Sequence, residues 1–256
     1  MGWAPGWTAL GHRGYSGYAW YRIRVAVSDP AAGGQRMALS GPASVDDAYQ
    51  VFFNGALAGI PAREVGGDFY QFIPNDQDGS LLIVAGDVAG KGLQAGMLVA
   101  VLVGAIRTIA KTSQDPLMVL QTLNERLVGR GSYATCLALH IDSAGEATLA
   151  NAGHLPPHLN GKAVAIDGSM PLGFLESAEF SVARFSVAEG DQLVMVSDGL
   201  AEAMDSEGRL FGFERVQSLV EARTPAAEIA QQVQKYGQED DISVIAVTRL
   251  PLPVSA

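Results

Sequence analysis

Residues 81–92, LLIVAGDVAGKG, join an apolar run to an aspartate and a glycine-rich turn. The run 81–85 is apolar at every position and short, which is typical of a strand buried on both faces. Beyond the turn, apolar residues recur at helical spacing from Leu93 to Ile109. The glycines around Asp87 let main chain approach an ion or a phosphate closely. The stretch therefore predicts a strand, an acidic turn and a helix.

A second acid stands at the start of the preceding strand. Residues 69–73 predict a strand that begins just after Asp68, and 74–80 predict a turn. The short connection favours an antiparallel hairpin, in which the start of one strand lies beside the end of the next. We therefore expect Asp68 and Asp87 at the same end of a sheet.

The C-terminal part repeats this arrangement. Asp198 follows the apolar run 192–197, while Asp240 and Asp241 precede the last predicted strand, 242–247. If these strands are also antiparallel, their acids share one end too. A lone Gly-Asp pair is usually only a turn, but acids at the ends of four strands indicate a common site.

Such a cluster of carboxylates needs cations or protons. Two like charges about 4 Å apart repel by roughly 4 kcal/mol at an effective dielectric constant of about 20. An all-oxygen ligand set without His or Cys suits Mg²⁺ or Mn²⁺ rather than zinc. Two such ions can orient and deprotonate a bridging water for attack on phosphorus.

The amino-acid composition argues against several classes of protein. The net charge of −10, from 17 basic and 27 acidic residues, argues against a non-specific nucleic-acid binder. The single cysteine, Cys136, excludes an internal disulfide framework and lies in an apolar run that predicts a buried thiol. The longest uncharged stretch, 92–106, is too short to cross roughly 30 Å of hydrocarbon. No secretory start is visible, so we expect a soluble, cytoplasmic chain without a membrane segment.

The remaining pattern divides the chain near residue 60. Residues 1–59 hold all three tryptophans and alternate like strands at 18–27, and Asn54-Gly55 predicts a hairpin. This segment is too short for a complete β-sandwich. We expect a partial β-rich segment at 1–59, a catalytic domain at 60–250 and a tail at 251–256. Further predicted elements are helices at 116–128 (capped by Asp115), 213–222 and 225–235, and a hairpin of 135–141 with 147–151.

Six blocks of sequence stand at 63–70, 86–92, 151–157, 171–173, 197–200 and 240–243. In their residues and their order they resemble the signature blocks of the SpoIIE-like branch of the PPM (type 2C) protein phosphatases. The resemblance implies an α+β fold, a PPM-type sandwich of antiparallel β-sheets flanked by α-helices, here with a partial N-terminal β segment. A complete domain of this family has one more strand before the first block, and 48–62 is expected to supply it.

The same resemblance implies roles for individual residues. Asp87 would bridge two Mn²⁺ or Mg²⁺ ions, with the Val88 carbonyl completing one coordination shell. Asp68 would ligate one ion. Asp198 and Asp240 would hold the other ion, and Asp241 would join this metal set or support it by hydrogen bonds.

Two further residues, Arg63 and His154, each have two candidate roles. Arg63, five residues before Asp68, would hold the substrate phosphate through its planar fork, or be an ordinary surface charge. His154, in the block 151–157, would be a general acid or, as we expect, part of a structural turn.

The function implied by the resemblance is metal-dependent hydrolysis of phosphoserine or phosphothreonine on a protein. The implied partner is a phosphorylated signalling regulator of the anti-sigma-antagonist (STAS) type. The alternative is a regulatory pseudophosphatase or a carbohydrate-binding fragment, because 1–59 resembles part of a galactose-binding-like jelly roll. Retention of every acidic ligand candidate favours the enzyme.

Overall fold

The two strands predicted at 69–73 and 81–85 are adjacent in a five-stranded antiparallel sheet. The computed structural model describes residues 51–53, 56–59, 66–237 and 241–250. The strands are β1 Val51–Phe53, β2 Ala56–Gly59, β3 Asp68–Pro74, β4 Leu81–Val88, β5 Ala134–Ile141, β6 Glu146–Ala152, β7 His158–Leu159, β8 Lys162–Ala163, β9 Ser181–Ser186, β10 Gln192–Val196 and β11 Val244–Thr248. The helices are α1 Leu93–Ile109, α2 Pro116–Leu127, α3 Gly199–Glu202, α4 Phe213–Glu221 and α5 Ala226–Tyr236.

Two antiparallel sheets carry the site. The first has five strands in the order β3-β4-β5-β6-β9, and the second has four in the order β11-β10-β7-β8. Every pairing in both sheets is antiparallel. The ends of β4 and β10, where the acids were expected, are therefore each beside the start of a neighbouring strand.

Alternation along the strands builds a four-layer sandwich. In β4, Leu82 and Val84 pack with α1 and α2, whereas Ile83 and Ala85 pack with residues of the second sheet such as Met195. Successive side chains of a strand point to opposite faces, so one apolar run serves both cores. A third apolar cluster joins the outer face of β10 to α4 and α5. The order of layers is helices, sheet, sheet, helices, as the predicted fold class requires.

Helix boundaries follow local chemistry. The Asp115 side chain accepts a hydrogen bond from the Leu117 backbone N–H at 3.0 Å, and Pro116 takes the first helical position of α2. Both features satisfy or remove backbone donors that a helix start leaves unpaired. Gly92 precedes α1 at a φ of 83°, a conformation that favours glycine. Cys136 is fully buried among the helices and the first sheet, as predicted.

The region before Asp68 is described only in part. β1 and β2 pair antiparallel, with Phe53 opposite Ala56, as the Asn54-Gly55 hairpin predicted. These two strands form a sheet of their own, so the described residues do not show the expected addition of 48–62 to a larger sheet. The predictions for residues 1–50 and for the tail 251–256 concern parts of the chain outside the described residues. No helix in the described part of the chain combines the length and apolarity needed to cross a membrane.

Candidate metal centre

Asp68 and Asp87 are direct partners in the β3–β4 ladder. Directly opposite residues of an antiparallel pair present their side chains on the same face of the sheet. Their neighbours Phe69 and Val88 pack on the helix side, so both acids belong to the face that meets the second sheet. The predicted meeting of these two acids at one sheet end is thus observed.

The second pair of strands brings further acids to the same place. Ser197 and Ser243 extend the β10–β11 ladder: the Ser197 backbone N–H donates to the Ser243 carbonyl at 3.0 Å, and the Ser243 N–H donates to Ser197 Oγ at 2.9 Å. Asp198 follows this pair on one strand, and Asp241 precedes it on the other. Asp198 is exposed and Asp241 is half-buried.

The environment of Asp68 shows that the two ends converge. The pKa of Asp68 is raised to about 6: burial is the largest cause, hydrogen bonds from the Ser243 and Ser197 side chains lower it, and the charges of Asp241 and Asp198 raise it. Its Oδ2 atom is buried and has no hydrogen-bond partner. A buried carboxylate oxygen that lacks a partner is costly, and neighbouring negative charges add to that cost. A cation at this position would offset both terms.

Glycines let the chain segments approach at this point. A Cβ on Gly66 would overlap the Asp241 carboxylate, and one on Gly67 would overlap the Val88 carbonyl oxygen and Asp87 Oδ1. The Val88 backbone N–H donates to the Gly67 carbonyl at 3.0 Å. The absence of side chains at 66 and 67 is therefore a requirement of the packing that brings Asp87, Val88 and Asp241 beside the start of β3.

A hydrogen-bonded histidine closes one side of this arrangement. Thr135 lies opposite Asp87 in the β4–β5 ladder, and its hydroxyl group is 2.9 Å from His154 Nδ1. The His154 backbone is tied to the Asn151 side chain by two hydrogen bonds of 2.9 Å. Burial lowers the pKa of His154 to about 4, although the Asp198 charge raises it. A neutral imidazole held by these hydrogen bonds fits the predicted structural role of His154. It does not fit the role of a general acid at neutral pH, which requires a proton to donate.

The sequence predicted the acids of the site but not three polar residues that lie beside them. Ser197, Ser243 and Thr135 each pair with a residue of the site, and none of them was predicted to take part. Ser197 and Ser243 stand inside the quoted blocks 197–200 and 240–243, so their adjacency to the acids was visible. The proximity of Thr135 to His154 depends on strand pairing and had no sequence indicator.

Two predicted site residues, Arg63 and Asp240, lie outside the described residues. Within 66–237 and 241–250, no three Asp, Glu, His or Cys side chains stand close enough together to coordinate one ion. The oxygen-only chemistry of Asp68, Asp87 and Asp198 and the unpartnered Asp68 oxygen nevertheless fit a hard divalent cation.

The fold is that of solved PP2C-type phosphatase domains. A solved structure of the PP2C phosphatase domain and a regulatory-domain fragment of SpoIIE from Bacillus subtilis superposes with a TM-score of 0.62 at 18% identity, covering 79% of this chain and 62% of that one. A structure of RsbX in complex with magnesium gives 0.55 at 16% identity, covering 78% and 92%.

Residues 77–250 match the family described as Stage II sporulation protein E (SpoIIE), and the chain belongs to that family. It is 26% identical over 216 residues to "Phosphoserine phosphatase RsbU" of Bacillus subtilis (strain 168), covering 76% of this chain and 62% of the relative. The chain spans less than two thirds of the length of the curated relatives it matches.

Proposed function

We propose that this chain is a Mn²⁺- or Mg²⁺-dependent phosphatase that hydrolyses phosphoserine or phosphothreonine on a protein. The observation that carries the proposal is the Asp68 carboxylate, paired across the ladder with Asp87 and left with a buried, unpartnered oxygen. Membership of the SpoIIE family and similarity to a relative named as a phosphoserine phosphatase support the same reaction.

Each acid of the cluster has a role in the proposal. Asp87 and Asp68 would hold the ions from the first sheet, with the Val88 carbonyl beside them. Asp198 and Asp240 would hold them from the second sheet. Bound divalent ions supply charge neutralisation at the phosphoryl oxygens and acidify the attacking water.

The neighbouring residues position these ligands. Ser197 and Ser243 fix the separation of the strand ends that carry Asp198 and Asp241. Asp241 packs against the Gly66 backbone, where it would orient the adjoining ligand Asp240. Arg63 would hold the substrate phosphate, a task for which its fork of N–H donors is suited.

The proposed substrate is a phosphorylated regulator of the STAS type. The support is similarity to RsbU and to the SpoIIE phosphatase domain rather than a feature of the site itself. The net charge of −10 makes nucleic acid an unsuitable partner. We keep the cytoplasm as the proposed location, where such regulators would be met.

Two measurements test the proposal. Turnover of p-nitrophenyl phosphate should be absent after exhaustive chelation and should return when Mn²⁺ or Mg²⁺ is added. Calorimetric titration of Mn²⁺ into the chelated chain should show binding, and Asp68→Asn should weaken it at least about tenfold because a charged ligand is lost. Full turnover in a chain shown to be free of metal would contradict the proposal. Mn²⁺ binding without turnover would instead support the pseudophosphatase alternative.

A further inference from the structure

A pocket of about 270 Å³ opens two residues beyond Asp87. One wall is the glycine-rich turn and the first turn of α1, and the other is the segment that leads into β5. The lining residues are Ala89, Gly90, Lys91, Gln94, Ala95, Gly131, Ser132 and Tyr133. The volume is below the range of about 300–1,000 Å³ that is typical of sites for whole small molecules. It suits one or two amino-acid side chains.

The pocket lies at the same end of the first sheet as Asp87. The β4–β5 pairing runs through Asp87 opposite Thr135 and Val88 opposite Ala134. It then continues beyond the strands, because the Ala89 N–H donates to the Tyr133 carbonyl at 2.9 Å. The same ladder therefore forms the floor of the pocket and carries Asp87. A phosphorylated residue bound at the proposed metal centre would bring its chain neighbours to this end of the sheet.

Basic residues stand in the lining of the pocket and next to it. Among the described residues of the lining, Lys91 is the charged one, and it is exposed. Arg130, next to Gly131 of the lining, is exposed as well. The polar groups of Gln94, Ser132 and Tyr133 add hydrogen-bonding capacity, and Tyr133 is 51% exposed.

We propose that this pocket, with Lys91 as its specificity-determining residue, binds an acidic side chain of the substrate next to the phosphorylated residue. The inference rests on the proposed phosphatase function and adds to it a preference for sequence around the phosphate. A lysine ammonium attracts a carboxylate without requiring bidentate geometry. The pair is partly exposed, so the preference is modest and falls as salt screens it.

The test compares peptides that differ only beside the phosphorylated residue. A non-hydrolysable phosphonate replaces phosphoserine, and its flanking residues are glutamate, glutamine or lysine. Fluorescence anisotropy with the full chain and Mn²⁺ measures binding, so the readout is independent of turnover. We expect the glutamate peptide to bind roughly fivefold more tightly than the glutamine peptide, and the lysine peptide to bind least tightly. Lys91→Glu should abolish or reverse this order.

Lys111→Glu is the matched control. Lys111 is an exposed lysine just beyond the C-terminal end of α1, and the substitution makes the same charge change far from the pocket. It should leave the order of the three peptides unchanged. Equal binding of the three peptides, or an order that Lys91→Glu and Lys111→Glu alter alike, would overturn the inference. A charge preference that depends on Lys91 in a chain without turnover would support the pocket and contradict the phosphatase proposal alone.

Discussion

Asp68 lies directly opposite Asp87, with the buried Oδ2 of Asp68 left without a hydrogen-bond partner. The register of seven paired positions from Asp68–Asp87 to Pro74–Leu81 fixes this relationship. A slip of one residue would move every side chain of β3 to the other face, so the apolar core and the acidic pair specify the same register. The core thus holds together two like charges that would separate in an unconstrained chain.

Asp198→Asn should lower turnover at least about 100-fold, comparable with the loss of a major electrostatic element. The substitution removes a charge with little change of volume, and Asp198 is exposed, so the fold should be retained. The measurement is kcat at saturating Mn²⁺. Asp76→Asn is the control, because Asp76 is exposed in the turn at the opposite end of the β3–β4 hairpin. Wild-type turnover in Asp198→Asn would remove this residue from the proposed ligands.

Gly67→Ala should destabilise the chain by about 2 kcal/mol and weaken Mn²⁺ binding. The added Cβ would overlap the Val88 carbonyl oxygen and Asp87 Oδ1, and the backbone oxygen cannot rotate away. Urea unfolding and calorimetric titration of Mn²⁺ measure the two effects.

Gly104→Ala makes the same chemical change where a Cβ meets nothing within 4 Å. Gly104 lies inside α1, so this variant should be more stable than wild type by about 0.5–1 kcal/mol. Equal effects of the two substitutions would contradict the close approach at Gly67.

His154 should remain neutral at all pH values at which the phosphatase is assayed. Its pKa is lowered to about 4 by burial, and an unfolded histidine has its ordinary value near 6.5. The neutral form is therefore the one that the fold stabilises. This contribution is complete above pH 6.5 and is lost as the pH falls towards 4.

Urea unfolding at pH 7.5 and at pH 5 compares wild type with His154→Gln. The variant should lose less stability over this interval, since glutamine does not take up a proton. Nuclear magnetic resonance titration of the imidazole gives a direct reading. A midpoint near 6.5 in the folded chain would show that the ring is accessible to solvent and would reopen its reading as a general acid.

The sequence predicted the elements whose local patterns are strong. The strand over 81–85, the helix beginning at Leu93 and the cap at Asp115 are all observed, because apolar runs, helical periodicity and capping act locally. β9 was not among the predicted strands, although its sequence SVARFS alternates with a period of two. β7 and β8 have two residues each, and they are defined by pairing, of β7 with β10 and of β8 with β7, rather than by a local pattern.

The candidate site, like the fold, could be predicted from the sequence only in part. The meeting of Asp68 with Asp87 followed from one hairpin, since a short turn determines which ends are adjacent. The convergence of that hairpin with Ser197 and Ser243 depends on how two sheets pack, which no local pattern encodes. Close backbone approach at Gly66 was suggested by its type, but its partner Asp241 could be found only in three dimensions.

Arg63→Lys tests the proposed phosphate-binding arginine. Lysine keeps the positive charge but loses the planar fork, so a bidentate contact with phosphate is lost while the net charge is unchanged. We expect kcat/KM for a phosphoserine peptide to fall about tenfold, since hydrogen bonds to charged groups contribute about 1.5–3 kcal/mol. Mn²⁺ affinity should stay within about twofold, because no metal ligand changes.

Arg126→Lys, at an exposed position in the last turn of α2, makes the same substitution as a control and should not alter kinetics. Unaltered kinetics in Arg63→Lys would assign Arg63 to the surface charges, whereas a parallel loss of Mn²⁺ affinity would show that it supports the metal centre instead.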